Sequence, residues 1–247
     1  MAHILKSVVA AAIALTVASV SPAANLVQNG GFEQTTRTDG SYGIGSLYPS
    51  NNATYWTTTG YNFVFQPGTA DSVGANGEYG NMKLWGPANG ANNGLTASSP
   101  SGGNFLAADG AYQTEVISQV INGLNVGQQY KVSFDWAGAQ QYGYNGVTTE
   151  NWTVSLGNQS FTTPTVTNAD HGFTGWQSAS YIFTATNATE TLSFLAHGTP
   201  NGEPPFSLLD SVSMGAVPEP ASWAMMIVGF GAVGGAMRFR KRTAVIA

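Results

Sequence analysis

Tyr130-Lys131-Val132-Ser133-Phe134-Asp135-Trp136 alternates without a break: Tyr130, Val132, Phe134 and Trp136 fall on one side of an extended chain, Lys131, Ser133 and Asp135 on the other. Period two over such a stretch describes a strand with one buried and one wetted face. The same rhythm returns at Trp152, Val154 and Leu156, which alternate with Thr153 and Ser155 before a Gly157-Asn158 turn. Further short strands are expected at Tyr61 to Phe65, Asn104 to Gly110, Ile117 to Val120, Tyr181 to Thr184, Thr191 to Ala196 and Phe206 to Met214. Turn signals separate them, among them Pro67-Gly68, Asn122-Gly123 and Pro204-Pro205. No helix is convincing between residues 25 and 216. Many short strands divided by Gly, Asn and Pro predict an all-β protein, an antiparallel β-sandwich. Two polar, Gly-rich stretches interrupt it, Gln34 to Tyr55 and Gly74 to Gly103. Loops of that length commonly carry binding residues.

Residues 25–216, roughly 190 in all, suffice for one domain with a substantial core. Their only basic residues are Arg37, Lys83 and Lys131, set among scattered Asp and Glu. That balance argues against nucleic acid and anionic lipid as partners, since both need clustered Lys or Arg. It suits sugars and divalent cations. Cysteine is absent, so the fold has neither disulfides nor thiolate metal sites. Aromatic and β-branched residues are too frequent for a disordered chain.

The two ends have a different chemistry. Lys6 precedes an apolar stretch, Val8 to Val20, which is followed by the small residues Ser21, Ala23 and Ala24; this is the order of a secretory signal peptide over residues 1–24, cleaved near Ala23 or Ala24. At the other end, residues 217–242 run from the rigid Pro218-Glu219-Pro220 through an uncharged apolar run, 221–237, to a basic tail, 238–242, holding Arg238, Arg240, Lys241 and Arg242. Residues 243–247 form a short tail beyond it. About 17 apolar residues are enough for a single transmembrane helix in a thin bilayer, and the basic cluster favours a cytoplasmic C-terminus. A buried core helix would instead show polar positions at a 3.6-residue period; the run has only Ser222.

Pro218, Glu219 and Pro220, then Trp223-Ala224, the Gly229-Phe230-Gly231 repeat and the arginine-rich end resemble the PEP-CTERM sorting signal of Gram-negative bacteria in its PEPxxWA form. The resemblance implies an inner-membrane-anchored precursor, processing by an exosortase (a membrane cysteine protease), and a mature form at the cell surface or in the extracellular matrix. The motif Pro218-Glu219-Pro220 with Trp223 is then a substrate for another enzyme.

Asn29-Gly30-Gly31-Phe32-Glu33, just after the signal peptide, is similar to the first strand of jelly-roll carbohydrate-binding modules and galactose-binding-like domains. Ser118-Gln119-Val120 and Leu208-Leu209-Asp210-Ser211-Val212 extend the resemblance. It implies a jelly roll with a structural calcium between Glu33 and Asp210; no cofactor is otherwise required. In an extended Phe206 to Met214 strand, Asp210 shares the apolar face with Leu208, Val212 and Met214. An isolated buried carboxylate there needs a cation or several donors, the alternative being an Asp bonded to backbone at a sheet edge.

Sugar rings stack on exposed aromatics while amides and carboxylates bond their hydroxyls. Two loops have that composition, one with Tyr42 and Tyr48, the other Gln140 to Asn145 with Tyr142 and Tyr144; Trp136, Trp152 and Trp176 fit core positions instead. Catalytic signatures are lacking. His171 and His197 belong to no His-Glu-x-x-His arrangement, no Gly-x-Ser-x-Gly elbow occurs, and Asp170 beside His171 reads as a loop pair. The sequence therefore predicts an exported, exosortase-sorted surface or matrix protein. Its sandwich is structural or carbohydrate-binding, with exopolysaccharide as partner and biofilm as setting, and without catalytic residues. The alternative is a secreted glycan-active hydrolase on the same scaffold, which needs two carboxylates at a set separation.

Overall fold

A computed structural model describes residues 24–35, 44–45, 53–77, 80–218, 227–231 and 233–235. The strands are β1 (Ile44–Gly45), β2 (Asn62–Phe65), β3 (Ala75–Gly77), β4 (Gly80–Met82), β5 (Phe105–Asp109), β6 (Ile117–Asn122), β7 (Gln129–Gln140), β8 (Thr148–Leu156), β9 (Gln159–Thr162), β10 (Val166–Asn168), β11 (Gln177–Thr184), β12 (Thr189–Thr199) and β13 (Pro205–Ala216). One sheet has the order β1-β2-β5-β13-β7-β11, the other β10-β8-β12-β6 with β9 beside β8, and β3 pairs β4 alone. Every strand pairing is antiparallel. From β5 to β8, and again from β11 to β13, each strand crosses to the opposite sheet. This is an antiparallel β-sandwich of jelly-roll type, as the sequence predicts.

The alternating face of β7 fills the space between the sheets. Tyr130, Val132, Phe134 and Trp136 meet Trp152, Val154 and Leu156 of β8 and Leu192, Phe194 and Ala196 of β12. Phe194 takes the edge of Phe134 at 5.2 Å and of Trp152 at 6.1 Å, the offset geometry that aromatic quadrupoles favour. Trp152 also donates its indole N–H to the Leu208 carbonyl at 3.0 Å, satisfying its one polar atom in the core.

A second core lies on the other side of the six-stranded sheet. Phe63, Phe65, Phe105, Phe206 and Leu208 are covered there by Met82, Leu84 and Leu95. The stretch 74–103, which composition marks as loop, is therefore a packed cover over this face. Burial on both faces explains why Phe105-Leu106-Ala107-Ala108 is an apolar run with no alternation. Trp176 packs at the margin of this core, only partly buried.

The alternation expected along Phe206 to Met214 does not hold. A β-bulge shifts the register between Asp210 and Ser213, and Ser211 adopts a left-handed φ of 56°. The extra residue turns the strand over: Val212 and Met214 face the inter-sheet core with Leu209, while Asp210 stays with Leu208 on the outer face. Nor is Asp210 at a sheet edge, since β13 runs between β5 and β7.

Both ends of the domain leave from one pole. Leu26 donates its N–H to the Met214 carbonyl at 2.8 Å, and the Asn25 side chain accepts from the Met214 N–H at 3.0 Å. Val217 still pairs with the Gln129 carbonyl at 2.8 Å, so the sheet continues to within one residue of Pro218. Beyond it residues 227–231 and 233–235 are helical, and no helix among the described residues is long and apolar enough to cross a membrane. Residues 1–23, Tyr42, Tyr48, Glu219, Pro220 and Trp223 lie outside the described residues.

Candidate functional site

At the pole opposite the chain ends, where β5 and β7 stop and β13 starts, lies a pocket of about 380 Å³. Tyr61, Asp109, Tyr112, Gln141, Tyr144 and Asn201 line it, with Met82 and Pro204. The apolar run of β5 delivers Asp109 there with only 2% of its surface exposed. Its Oδ1 accepts the N–H groups of Ala111 and Tyr112 at 2.8 and 3.1 Å, an Asx-type turn that starts the next loop. Its Oδ2 has no hydrogen-bond partner among the described residues. Burial pushes the carboxyl up to about 6, against the two N–H bonds that favour the charged form. Tyr61 and Tyr112 meet edge to face at 5.5 Å.

Loop 141–146 brings Tyr144 to this pocket and holds Tyr142 beside it. Tyr142 packs on Trp85 at 4.5 Å, and Trp85 stacks on His171 at 3.8 Å. The Trp85 indole donates to the Tyr144 carbonyl at 2.8 Å. His171 Nε2 is 2.7 Å from Asn145 Oδ1, and the Gly146 N–H donates to Asp170 at 2.6 Å. The Asp170 and His171 pair thus braces this loop. The tyrosines it carries remain 44% and 39% exposed, so part of each ring stays open to a ligand.

Glu33 and Asp210 also come together, as the jelly-roll resemblance implies. A Cβ placed on Gly31 would stand 3.7 Å from Asp210 Oδ1 and 3.9 Å from Glu33 Oε1, so the carboxylates flank that residue. Asp210 is wholly buried. Its Oδ2 accepts from Ser99, from Ser101 at 2.9 Å and from Ser211 at 3.4 Å, whereas Oδ1 has no partner among the described residues. Burial raises its pKa, and bonds from Ser99, the Ser211 backbone and Ser101 oppose the rise. Glu33 Oε1 accepts the Asn104 N–H at 2.8 Å and rests on Gly103 at φ +72°, where any Cβ would collide with it. A buried, unpaired carboxylate oxygen facing a second carboxylate fits a hard cation. Among the described residues no three acidic, His or Cys side chains cluster for a metal, so hydroxyl and carbonyl oxygens would complete its shell.

Sequence reasoning passes over Asp109, Tyr61, Tyr112 and Asn201, while Gln141 falls in the loop it singles out. The signal for Asp109 was present: a carboxylate that closes an all-apolar strand has the same anomaly as Asp210. The tyrosines give none, because their meeting depends on how three connections fold over the sheet ends.

Fold and site thus define a sorted β-sandwich domain with a tyrosine-walled pocket. Residues 216–242 match the PEP-CTERM protein-sorting motif, which marks the chain for export as a membrane-anchored precursor. Residues 89–214 match the family described as "Protein of unknown function (DUF642)", and the chain belongs to that family. No curated protein sequence matches it. Among solved structures it is similar to the CBM22-1 xylan-binding domain of Xyn10C from Paenibacillus barcinonensis, at 11% identity over 81% of this chain and 99% of that one, TM-score 0.39. It is also similar to TmCBM61 in complex with beta-1,4-galactotriose, at 17% identity over 78% and 99%, TM-score 0.35. A third is the enzymatically active domain of Bacteriophage CBA120 tailspike protein 4, at 13% identity and TM-score 0.35; the match covers 78% of this chain and 21% of that protein.

Proposed function

We propose that this is a non-catalytic carbohydrate-binding domain, delivered to the cell surface or matrix by exosortase processing, where it holds exopolysaccharide. The observation that carries the reading is the pocket: exposed tyrosine faces beside amides and a carboxylate, seated on a braced loop, form the arrangement a sugar ring needs. Its position supports the same reading. The twelve residues of β13 separate it from Asn25 and Val217, about 40 Å at strand rise, so the pocket lies at the pole far from where the sorting signal begins.

Affinity electrophoresis of the full-length protein against neutral, amino and acidic polysaccharides tests this. At least one should retard it, and Tyr144→Ala should weaken that interaction about tenfold, the loss of one stacking contact of roughly 1.4 kcal/mol. Its melting temperature should not move, because Tyr144 is exposed. Mobility unaffected by every polysaccharide would sink the reading.

The carboxylate pair supports a structural calcium at Glu33 and Asp210. Calcium added after chelation should raise the melting temperature by several degrees, in proportion to binding, and Asp210→Asn should abolish the increase. Equal melting with and without calcium would rule the site out.

A further inference from the structure

The pocket's unmet hydrogen-bonding capacity narrows the ligand, granting the proposed saccharide reading. Asp109 Oδ2 is a buried acceptor without a donor among the described residues, and Asp109 shares the pocket wall with Tyr61, Met82 and Tyr112. Among the described residues no Lys, Arg or His lines the pocket. Between residues 25 and 216 three basic residues face twelve carboxylates, a field that repels uronic or sulfated glycans and attracts cations. A ligand must therefore bring a donor, and a charged donor gains most: it forms a charge-assisted bond to a poorly solvated carboxylate and lies against ring faces that attract cations.

We propose that the pocket binds an amino-sugar unit, its primary ammonium donating to Asp109 Oδ2 between the Tyr61 and Tyr112 rings. Oδ2 is closed off from solvent, so contact requires a local shift of the pocket wall. Tyr144 and the amides of Gln141 and Asn201 remain for the sugar ring and its hydroxyls. Among the described residues Asp109 is the one carboxyl of the pocket; its other ionisable side chains are the phenols of Tyr61, Tyr112 and Tyr144.

Calorimetric titration of the full-length protein with a β-1,4-linked glucosamine hexamer, its fully N-acetylated form and a β-1,4-glucan hexamer tests the assignment. At about 0.3 M salt, where general attraction between exposed charges is screened, the free amine should bind at least tenfold more tightly than either neutral hexamer. Asp109→Asn should erase that difference, bringing the amine hexamer down to the affinity the same variant shows for the neutral hexamers. If Asp109→Asn does not fold, the wild type decides: amine affinity should fall about tenfold per pH unit below about 6, although the ligand becomes more fully charged there. A neutral hexamer binding as tightly as the amine overturns the ammonium assignment and leaves saccharide binding standing. Retention of amine binding by Asp109→Asn, a flat pH profile, or no binding by any hexamer also overturns it; only failure across the wider polysaccharide panel removes the saccharide reading itself.

Discussion

Melted at constant salt, the protein should unfold at a higher temperature at pH 5 than at pH 8. The cause is Glu150, which β8 points into the sandwich with no exposed surface. Its Oε1 accepts from Thr148 at 2.5 Å and its Oε2 has no partner among the described residues. Burial pushes the carboxyl up from 4.5 to about 8, and the Thr148 bond only partly opposes this. An acid whose pKa is higher folded than unfolded stabilises the fold fully below the unfolded value. That contribution is lost as pH rises from 4.5 to about 8, where the unfolded chain releases a proton that the fold retains. A tenfold change in proton affinity is worth about 1.4 kcal/mol, so the loss across that range is on the order of 4–5 kcal/mol, or roughly 10 °C in a domain of this size.

Asp109 adds to the trend between 3.8 and about 6. Glu190 opposes it only in acid: burial raises its pKa, but bonds from the Thr186 hydroxyl and the Thr186 and Asn187 N–H groups outweigh burial and lower it, so its stabilisation is lost as pH falls from the normal Glu value through the lowered one. Glu150→Gln should flatten the profile above pH 4.5 and exceed the wild type in stability at pH 8. A melting temperature that rises with pH, or a Glu150→Gln profile as steep as the wild type, would refute this origin.

Gly30→Ala should destabilise the domain by about 3 kcal/mol, at the upper end of overpacking costs. The reason is space. A Cβ at Gly30 would stand 1.9 Å from the Val212 carbonyl oxygen, and Gly30 itself accepts the Val212 N–H at 2.9 Å. The obstacle is backbone on both sides, at the strand turned over by the Ser211 bulge, so no rotamer relieves it. At Gly31 the nearest atom to a Cβ is 3.7 Å away, an ordinary contact, and Gly31→Ala should change stability by well under half as much. Equal denaturation midpoints for the two variants would show that the amino-terminal segment is not clamped on β13.

The same two glycines show where the reading of the sequence stops. Asn-Gly-x-Phe-Glu is legible as an entry into a sandwich, and Phe32 is buried against Trp56 at 5.4 Å. Which glycine is obligatory is not legible, because the answer lies with a residue 182 positions further on. Glu33 and Asp210 could be paired by resemblance; the three serines around Asp210 could not, since two of them come from the cover 74–103 and look like any loop serine.

By itself the sequence determined the sandwich, its principal strands and the sorting signal, because these rest on local chemistry: alternation along a strand, turn residues between strands, and a contiguous motif with its apolar run and basic tail. Tertiary structure decided the second core, the reversal of β13 at Ser211, the joining of both chain ends at one pole and the pocket at the other. Each of these depends on which backbone lies beside which, and neighbours more than a hundred residues apart leave no trace in local periodicity.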